Sequence, residues 1–234
     1  GNVTWYVAPW GSSATSCGQN ETAPCNSLEA VLSQYAGNSA DCYQPRNSTA
    51  VLSTTVYFMG DINVEPAMLC MSNWTNLALV GDRTAINSTA YAEGGKAFLQ
   101  FTACSNITLK GLNFLRSFIG SATVAFTQSR GIAIRSCAFP VTETASKGID
   151  IKDSSASITI ENVLLYNSDD DINSVPAFQI SQGSGTDPFN LLINNCTLRD
   201  IVRDGKVENS YSARGALIMR FEANATRNVV TIQN

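Results

Sequence analysis

The sequence predicts an all-β fold, a parallel β-helix with three strands per coil. The first observation behind this prediction is a short phrase of alternating apolar residues that recurs along the chain. The second is a small residue or an asparagine at the same place in each copy. The copies start at positions 77, 107, 132, 158, 191 and 230. Repetition at such intervals is typical of a solenoid, whose units bury their apolar faces only against each other.

Each copy of the phrase is interpreted as a strand, a corner and a second strand. In NITLKGLNF, Ile107 and Leu109 alternate with polar residues, which is the period-two pattern of a strand with one buried face. Gly111 then accepts positive φ at a sharp bend, and Leu112 and Phe114 form a second apolar pair. The other copies are Gly131–Phe139, Ser157–Leu165 and Asn190–Leu198, with partial copies at Asn76–Gly81 and Val229–Asn234. The corner residues are Gly81, Gly111, Ser136, Asn162 and Asn195.

A third strand precedes each phrase and completes one coil. The segments are Phe98–Phe101, Val124–Phe126, Ile149–Ile151, Ala177–Ile180 and Ala216–Phe221. Three strands joined by tight corners make a parallel β-helix. A sandwich or a barrel is the alternative, but neither needs a corner residue that recurs in register.

The N-terminal part of the chain predicts a cap for one end of the coils. A strand is followed by a loop closed by cysteines and then by a helix, for which Asn26 or Ser27 is a suitable N-cap. One face of this helix carries Leu28, Val31, Leu32 and Tyr35. A solenoid needs a cap because its end otherwise exposes backbone donors and apolar core. We therefore expect a single domain over 1–234, with the cap in 1–45 and the coils in 46–234.

The last coil is predicted to be incomplete. VVTIQN matches only the first strand of the phrase and its corner residue, so Val230 and Ile232 would stay exposed. Either further sequence follows or a neighbouring chain completes the coil. In the second case the contact would run head to tail, with GNVTWYV as the donor strand, and would propagate as a filament.

Composition excludes some classes of function and favours a secreted protein. The net charge of −4 and the lack of any Lys/Arg run argue against nucleic acid, and no apolar run is long enough to span a bilayer. The chain has neither an initiator methionine nor a signal peptide, which is natural for a processed secreted form, although a trimmed chain would look the same. Eight N-glycosylation sequons support secretion. They lie at Asn2, Asn20, Asn47, Asn73, Asn87, Asn106, Asn195 and Asn224.

Asn195 is the sequon whose use is hardest to predict. It is also a corner residue, and in an inward-facing stack with Asn162 its glycan would have to enter the core. The asparagines in loops are better candidates.

Seven cysteines suit an oxidising compartment and leave one without a partner. Cys17 and Cys25 enclose a short polar loop and form the best predicted disulfide. Cys42 with Cys70 is a second pairing, in which Cys104 could replace either partner. Cys137 and Cys196 occupy one coil position two turns apart, too far for a disulfide, and are interpreted as small buried residues.

One stretch resembles a known superfamily. The pattern Tyr6-Val7-x-x-x-Gly11, Cys17-Gly18 and Pro24-Cys25-x-Ser27-Leu28 is similar to the opening of extracellular right-handed β-helix proteins. These belong to the pectin-lyase-like superfamily and include relatives of polymorphic outer-membrane proteins. The resemblance implies a right-handed helix. The superfamily includes polysaccharide lyases and hydrolases, whose groove lies outside the first strand of each coil. The resemblance therefore implies that an active site, if the chain has one, would lie in that groove.

The residues expected to face that groove are mostly uncharged. They are Gln100, Ala125, Asp150, Gln179 and Arg220, with Thr102, Thr127, Lys152, Ser181 and Glu222 beside them. A lyase would need carboxylates that hold Ca²⁺ and a basic group that abstracts a proton. Asp150 and Asp153 with Lys152 or Arg220 are the candidates, but an exposed charge pair on a solvated sheet is the favoured interpretation. The chain has no histidine, which removes the histidine-containing motif of the hydrolases.

Other candidate sites are weaker. Asp169, Asp170 and Asp171 could chelate Ca²⁺ but lack the spacing of a known Ca²⁺ loop, so a solvated loop is favoured and we expect covalent N-glycans rather than a cofactor. A sugar-stacking platform is conceivable for the aromatics, although packing in the core or at corners is favoured. The aromatics concerned are Trp5, Trp10, Trp74, Tyr91 and Tyr211.

The sequence thus favours a secreted, N-glycosylated structural or adhesive surface protein without catalysis, which assembles head to tail into extracellular filaments and contacts glycans or matrix. The alternative is a carbohydrate-active enzyme resembling polysaccharide lyases, or a carbohydrate-binding β-helix module.

Overall fold

The computed structural model describes residues 2–39, 42–46, 53–64, 69–88, 97–115, 122–141, 147–167, 177–183, 185–199, 217–221 and 228–233. These residues form one helix, α1 (Leu28–Tyr35), and twenty strands. In chain order the strands are β1 (Asn2–Ser12), β2 (Ala36–Ser39), β3 (Cys42–Pro45), β4 (Ser53–Phe58), β5 (Ile62–Val64), β6 (Leu69–Ser72), β7 (Thr75–Ser88), β8 (Leu99–Thr102), β9 (Ser105–Phe114), β10 (Ala122–Thr127), β11 (Arg130–Arg135), β12 (Ala138–Val141), β13 (Lys147–Lys152), β14 (Ser155–Glu161), β15 (Leu164–Asn167), β16 (Phe178–Gln182), β17 (Phe189–Asn194), β18 (Thr197–Arg199), β19 (Leu217–Phe221) and β20 (Val229–Gln233).

The strands stack as the three faces of a parallel β-helix, as predicted. The main sheet runs β1-β4-β7-β9-β11-β14-β17-β20, and a second sheet of eight strands runs β19-β16-β13-β10-β8-β6-β3-β2. The third face contains β5, the ends of β7 and β9, then β12, β15 and β18. Every pair is parallel except β2 with β3. A chain that returns to the same face once per coil can pair with itself only in parallel.

The apolar residues of the phrase form columns inside the coils. Ile107 aligns with Leu77 on one side and with Ile132 on the other, and all three are almost fully buried. Aromatic residues stack in the same way: the ring centroids of Phe101 and Phe126 lie 4.9 Å apart. Each coil therefore buries its apolar side chains mainly against the coils next to it.

The corner after each first strand of the phrase was predicted correctly at four of five positions. Positive φ angles occur at Gly111 (66°), Ser136 (51°), Asn162 (53°) and Asn195 (47°). The prediction for Gly81 was wrong, because the pairing of β7 with β9 is irregular there and Arg83 takes the positive φ (53°) instead.

Gly81 and Gly111 are both required by close approach, and Gly111 also by its positive φ. A Cβ on Gly111 would collide with the Gly81 carbonyl oxygen, and a Cβ on Gly81 would lie 2.6 Å from Thr84 Oγ1. The backbones of the two coils thus meet at this corner without room for a side chain.

Two further corners were not predicted. Positive φ recurs at Asn73, Ala103, Gln128 and Asp153, just before the strands of the main sheet. It recurs again three residues later, at Asn76, Asn106, Gly131 and Ala156.

Behind the first of these corners, buried hydroxyl groups bind backbone amides. Ser129 Oγ accepts a hydrogen bond from Cys104 N at 3.2 Å, and Ser154 Oγ accepts one from Ser129 N at 3.1 Å. Ser129 is fully buried and Ser154 almost so. Each serine therefore satisfies an amide of the preceding coil that would otherwise be buried without a partner.

The N-terminal cap is formed as predicted. Ser27 is the N-cap of α1 and accepts from Ala30 N at 3.0 Å, while Leu28, Val31 and Leu32 are buried against the first coil. The disulfide between Cys17 and Cys25 closes the loop that precedes the helix.

The cap is attached to the edge of β1 by polar and aromatic contacts. Tyr6 N donates to Gly18 O at 2.8 Å, and the Tyr35 hydroxyl donates to Cys17 O at 2.6 Å. The Tyr35 ring stacks on Trp5 with centroids 5.0 Å apart. Asn2–Val7 is paired with Ser53–Phe58, so the segment expected to act as a donor strand is already the first strand of the main sheet.

The apolar columns become exposed in the coil that contains β18 and β20. Leu198, Val230 and Ile232 continue the core columns of Leu165, Leu191 and Ile193, but are 46%, 37% and 61% exposed. Equivalent residues one coil earlier are far less exposed, at 4% for Leu165 and 2% for Leu191. Within the described part of the chain, no strand pairs with the outer edge of β20.

Candidate functional site

The outer face of the eight-stranded sheet carries the residues expected to face a groove. One column runs through Gln100, Ala125, Asp150, Gln179 and Ile218, and the neighbouring column through Thr102, Thr127, Lys152, Ser181 and Arg220. Arg220 was therefore assigned to the wrong column: it aligns with Lys152, not with Asp150. The reason is that β19 places Leu217 on Phe178 and Met219 on Ile180, which keeps the apolar alternation in register.

Asp150 is engaged by a neighbouring lysine. Its Oδ2 lies 2.7 Å from Lys147 Nζ, and the two side chains are only 21% and 17% exposed. The strict alternation of a strand would place these two residues on opposite faces. The strand is irregular at this point, because the amides of Gly148 and Ile149 both donate to Ala177 O, so the sequence did not reveal the pair.

Asp153 has a structural partner too. It occupies a corner with φ of 48°, and its Oδ1 accepts a hydrogen bond from Gly183 N at 2.7 Å. Gly183 follows β16, which stacks on the strand that precedes Asp153. This carboxylate therefore links the corners of two successive coils.

The two candidate carboxylates thus differ both in their structural role and in their position. Asp150 points outward from the middle of a strand, whereas Asp153 braces a corner, and Lys152 is the exposed cation between them. In the described ranges, no three residues of His, Cys, Asp or Glu lie close enough to hold a metal ion. What this face offers is a strip of amide and hydroxyl groups with an exposed ammonium group, which suits hydrogen bonding.

Several predicted residues lie outside the described residues. They are Asn47, Tyr91, Asp169, Asp170, Asp171, Tyr211, Glu222 and Asn224. The side chains of Asn87 and Arg220 also lie outside them, although the backbones belong to β7 and β19.

Both predicted disulfides are formed, Cys17 with Cys25 and Cys42 with Cys70. Cys104, Cys137 and Cys196 are free thiols. Burial raises the pKa of Cys104 and of Cys137 from 9.0 to about 11, and it raises the pKa of Cys196 as well. Such thiols are protonated near neutral pH and make poor nucleophiles.

The tryptophans divide between core and surface. Trp5 and Trp74 are buried edge to face with centroids 6.2 Å apart, and Trp74 Nε1 donates to Tyr43 O at 2.9 Å. Core packing is therefore confirmed for these two residues. Trp10 is 68% exposed at the end of β1 and is available for contact.

Three sequons lie where the chain enters the main sheet. The register of that sheet aligns Asn2, through Ser53, with Asn76 and Asn106, and Asn73 lies on the corner three residues before Asn76. Asn2, Asn73 and Asn106 are exposed, and Asn106 Nδ2 donates to Asn76 Oδ1 at 3.0 Å. A fourth sequon, that of Asn20, is exposed in the loop of the first disulfide. Glycans on these residues would point into solvent.

The stack considered for Asn195 and Asn162 exists, but it does not face the core. Asn195 and Asn162 do form a pair, with Asn195 Nδ2 donating to Asn162 Oδ1 at 2.6 Å, but both residues are exposed. Their positive φ turns the side chains outward at the bend, so the core offers no obstacle to a glycan on Asn195.

The fold defines the chain as a parallel β-helix protein. No family model matches the chain, and no curated protein matches it either. Among solved structures it is similar to a rhamnogalacturonan lyase, with a TM-score of 0.49 and 13% identity, over 99% of this chain and 65% of that one. The chain thus spans slightly less than two thirds of the lyase. At this level of likeness, neither the activity nor any residue of the lyase carries over.

Proposed function

We propose that the chain is a secreted, N-glycosylated structural or adhesive protein of the cell surface, without catalysis. The observation that carries the proposal is the engagement of both candidate carboxylates: Asp150 by Lys147 and Asp153 by the Gly183 amide. A carboxylate that holds the fold together is poorly placed to bind Ca²⁺ or to take part in proton transfer.

Secretion is supported by disulfides and by exposed sequons. The two disulfides suit an oxidising compartment. The one helix of the described residues is too short to cross a membrane. Glycans on Asn2, Asn73 and Asn106 would lie near the start of the main-sheet strands and leave the outer face of the eight-stranded sheet accessible to partners such as matrix glycans.

Glycopeptide mapping of the protein secreted from a eukaryotic host tests this part of the proposal. We expect occupancy at Asn20, Asn73 and Asn106, with a fall in intact mass after enzymatic deglycosylation. The matched control is Thr75→Ala, which destroys the sequon of Asn73 and should remove one glycan. A secreted protein whose mass does not change on deglycosylation would contradict the proposal.

An assay against polyuronides, with and without Ca²⁺, tests the lack of catalysis. We expect no unsaturated uronide product. Turnover that disappears in Asp150→Asn, but persists in the matched variant Asp187→Asn, would overturn the proposal and establish the enzyme.

A carbohydrate-binding module is the second candidate, and the exposure of Trp10 favours it. An indole that is 68% exposed can stack on a sugar ring. Binding to immobilised glycans that is lost in Trp10→Ala and kept in Trp10→Phe would support this function.

A further inference from the structure

Outward aromatic residues are concentrated in the first two coils of the solenoid. Tyr6 and Tyr57 are partners in the register of β1 with β4 and alternate with buried residues, so both rings lie on the outer face of the main sheet. Their centroids are 6.4 Å apart, and the rings meet edge to face. In the later coils of the described chain, the same column contains no aromatic residue. It continues through Val80, Lys110, Arg135, Glu161 and Asn194.

Trp10 adds a third ring at the far end of β1. Its indole is 68% exposed, whereas the other two tryptophans, Trp5 and Trp74, are only 8% and 3% exposed. The indole rests against the second coil, because a Cβ on Gly60 would lie 3.2 Å from Trp10 Cζ3 and 3.3 Å from Pro9 Cδ. Gly60 has a φ of 99°, which favours glycine. Glycine at this corner therefore supports one side of the indole and leaves the rest of it in solvent.

Two exposed carboxylates lie on the same corner of the solenoid. Asp61 belongs to the second coil, and its Oδ1 accepts a hydrogen bond from Ala85 N at 2.9 Å, which fixes the side chain. Asp82 belongs to the third coil and follows Gly81, which is the partner of Phe58 in the main sheet. The exposed Arg83 comes next in the chain. Two carboxylates and one guanidinium group give this corner a net negative charge among the described residues.

This combination of groups matches the chemistry of a sugar. The face of a pyranose ring consists of C–H groups, which pack on aromatic rings, and its rim carries hydroxyl groups, which donate to carboxylates. The corner presents rings and carboxylates on adjacent coils. An acidic glycan would bring its own carboxylates close to Asp61 and Asp82, which costs electrostatic free energy. The corner is therefore better suited to a neutral glycan.

We propose that Tyr6, Tyr57 and Trp10 form a platform that binds a neutral glycan. Hydroxyl groups of the bound glycan donate hydrogen bonds to Asp61 and Asp82. This inference rests on the carbohydrate-binding candidate of the proposed function. It specifies the class of ligand and adds two tyrosines that the sequence did not single out.

Acrylamide quenching of tryptophan fluorescence tests where the glycan binds. Trp10 is the accessible fluorophore, while the buried Trp5 and Trp74 provide an internal reference. The protein is used after enzymatic deglycosylation, so that its own glycans cannot compete for the platform. We expect cellohexaose or mannohexaose to protect Trp10 from the quencher, and hexagalacturonate, an acidic glycan of the same length, to give no protection at the same concentration. The inference is overturned if neither neutral hexasaccharide protects Trp10 or if hexagalacturonate protects it equally well.

Isothermal titration calorimetry with the protecting hexasaccharide assigns the contacts. Trp10→Ala and Tyr57→Ala should each weaken binding about tenfold, because each removes a stacked ring, whereas Trp10→Phe should retain most of the affinity. Asp61→Asn keeps an oxygen for the Ala85 amide but loses the charge, so it should weaken binding severalfold. Lys110→Ala is the matched control, because Lys110 lies in the column of Tyr57 but two coils further on, outside the platform.

The variants also separate this inference from the alternatives. Far-UV circular dichroism first establishes that each variant is folded. Unchanged binding in a folded Trp10→Ala chain would place the ligand elsewhere, and weaker binding in Lys110→Ala would indicate an anionic ligand; either result overturns the inference. The glycopeptide mapping and the polyuronide assay decide the proposed function independently, because neither readout depends on Trp10.

Discussion

Removing the hydroxyl of Ser129 should destabilise the middle of the solenoid. In Ser129→Ala, the amide of Cys104 loses the acceptor that lies 3.2 Å away, and no other acceptor for it is seen in the described coils. A buried donor left without a partner costs about 1–3 kcal/mol, so we expect a loss of about 2 kcal/mol in the free energy of unfolding. For a chain of this length, that loss corresponds to a fall in Tm of about 4–8 °C.

The measurement is thermal and urea unfolding followed by far-UV circular dichroism, which reports on all coils. Ser157→Ala is the matched control, because Ser157 is exposed on the outer side of β14, and it should change the free energy of unfolding by less than about 0.5 kcal/mol. Equal stability of the two variants would refute the reasoning, since it would show that water or a shifted backbone replaces the hydroxyl at no cost.

Three further predictions concern other parts of the fold. Gly111→Ala should lower Tm by several degrees or prevent folding, because φ is 66° and the new Cβ would collide with the Gly81 carbonyl; differential scanning calorimetry measures this. Replacing Cys17 and Cys25 together by serine should cost about 2–4 kcal/mol in denaturant unfolding, and an unchanged midpoint would show that the loop does not need the bond. The pKa of the Cys137 thiol is 9.0 in the unfolded chain, and burial raises it to about 11 in the fold. The protonated thiol therefore contributes fully to the free energy of unfolding below pH 9, and this contribution is lost as the pH rises to 11. The Cys137→Ala variant should therefore lose less stability than the unsubstituted chain over that pH range, by about 2–3 kcal/mol.

The repeated phrase made the fold predictable because a period of two and a recurrent corner leave few alternatives. Ile107 and Leu109 face the core as expected, and Gly111 bends the chain after them. The cap was predictable for a similar reason, since Ser27 and the apolar face of α1 are local signals.

The remaining corners could not be predicted because they depend on stacking and not on residue type. Ala103 and Gln128 adopt positive φ although neither residue favours it. Their conformation follows from the coils above and below, which hydrogen-bond to both sides of each corner: Ala103 N donates to Thr127 O, and Gln128 N donates to Lys152 O. Because these hydrogen bonds join residues of different coils, the local sequence pattern does not show them.

The candidate site was the least predictable part for a related reason. Asp150 was identified as an outward carboxylate, but its partner Lys147 becomes a neighbour only through an irregularity in β13. Arg220 was assigned to the wrong column because residues 216–219 are all apolar, so alternation alone does not define which of them face the core. Small changes of register move a side chain by one column, which is enough to create or abolish a site.

The cap gives the solenoid a direction for folding. It contains the disulfide with the shortest separation, eight residues, and joins the first strand to the only helix of the described chain. The cap precedes the coils in the chain, so during synthesis it can close before the later coils exist. Each new coil can then pair with the strand edges of the coil before it, because coils interact mainly with their immediate neighbours. The cap can thus act as a template on which the coils fold in sequence during synthesis.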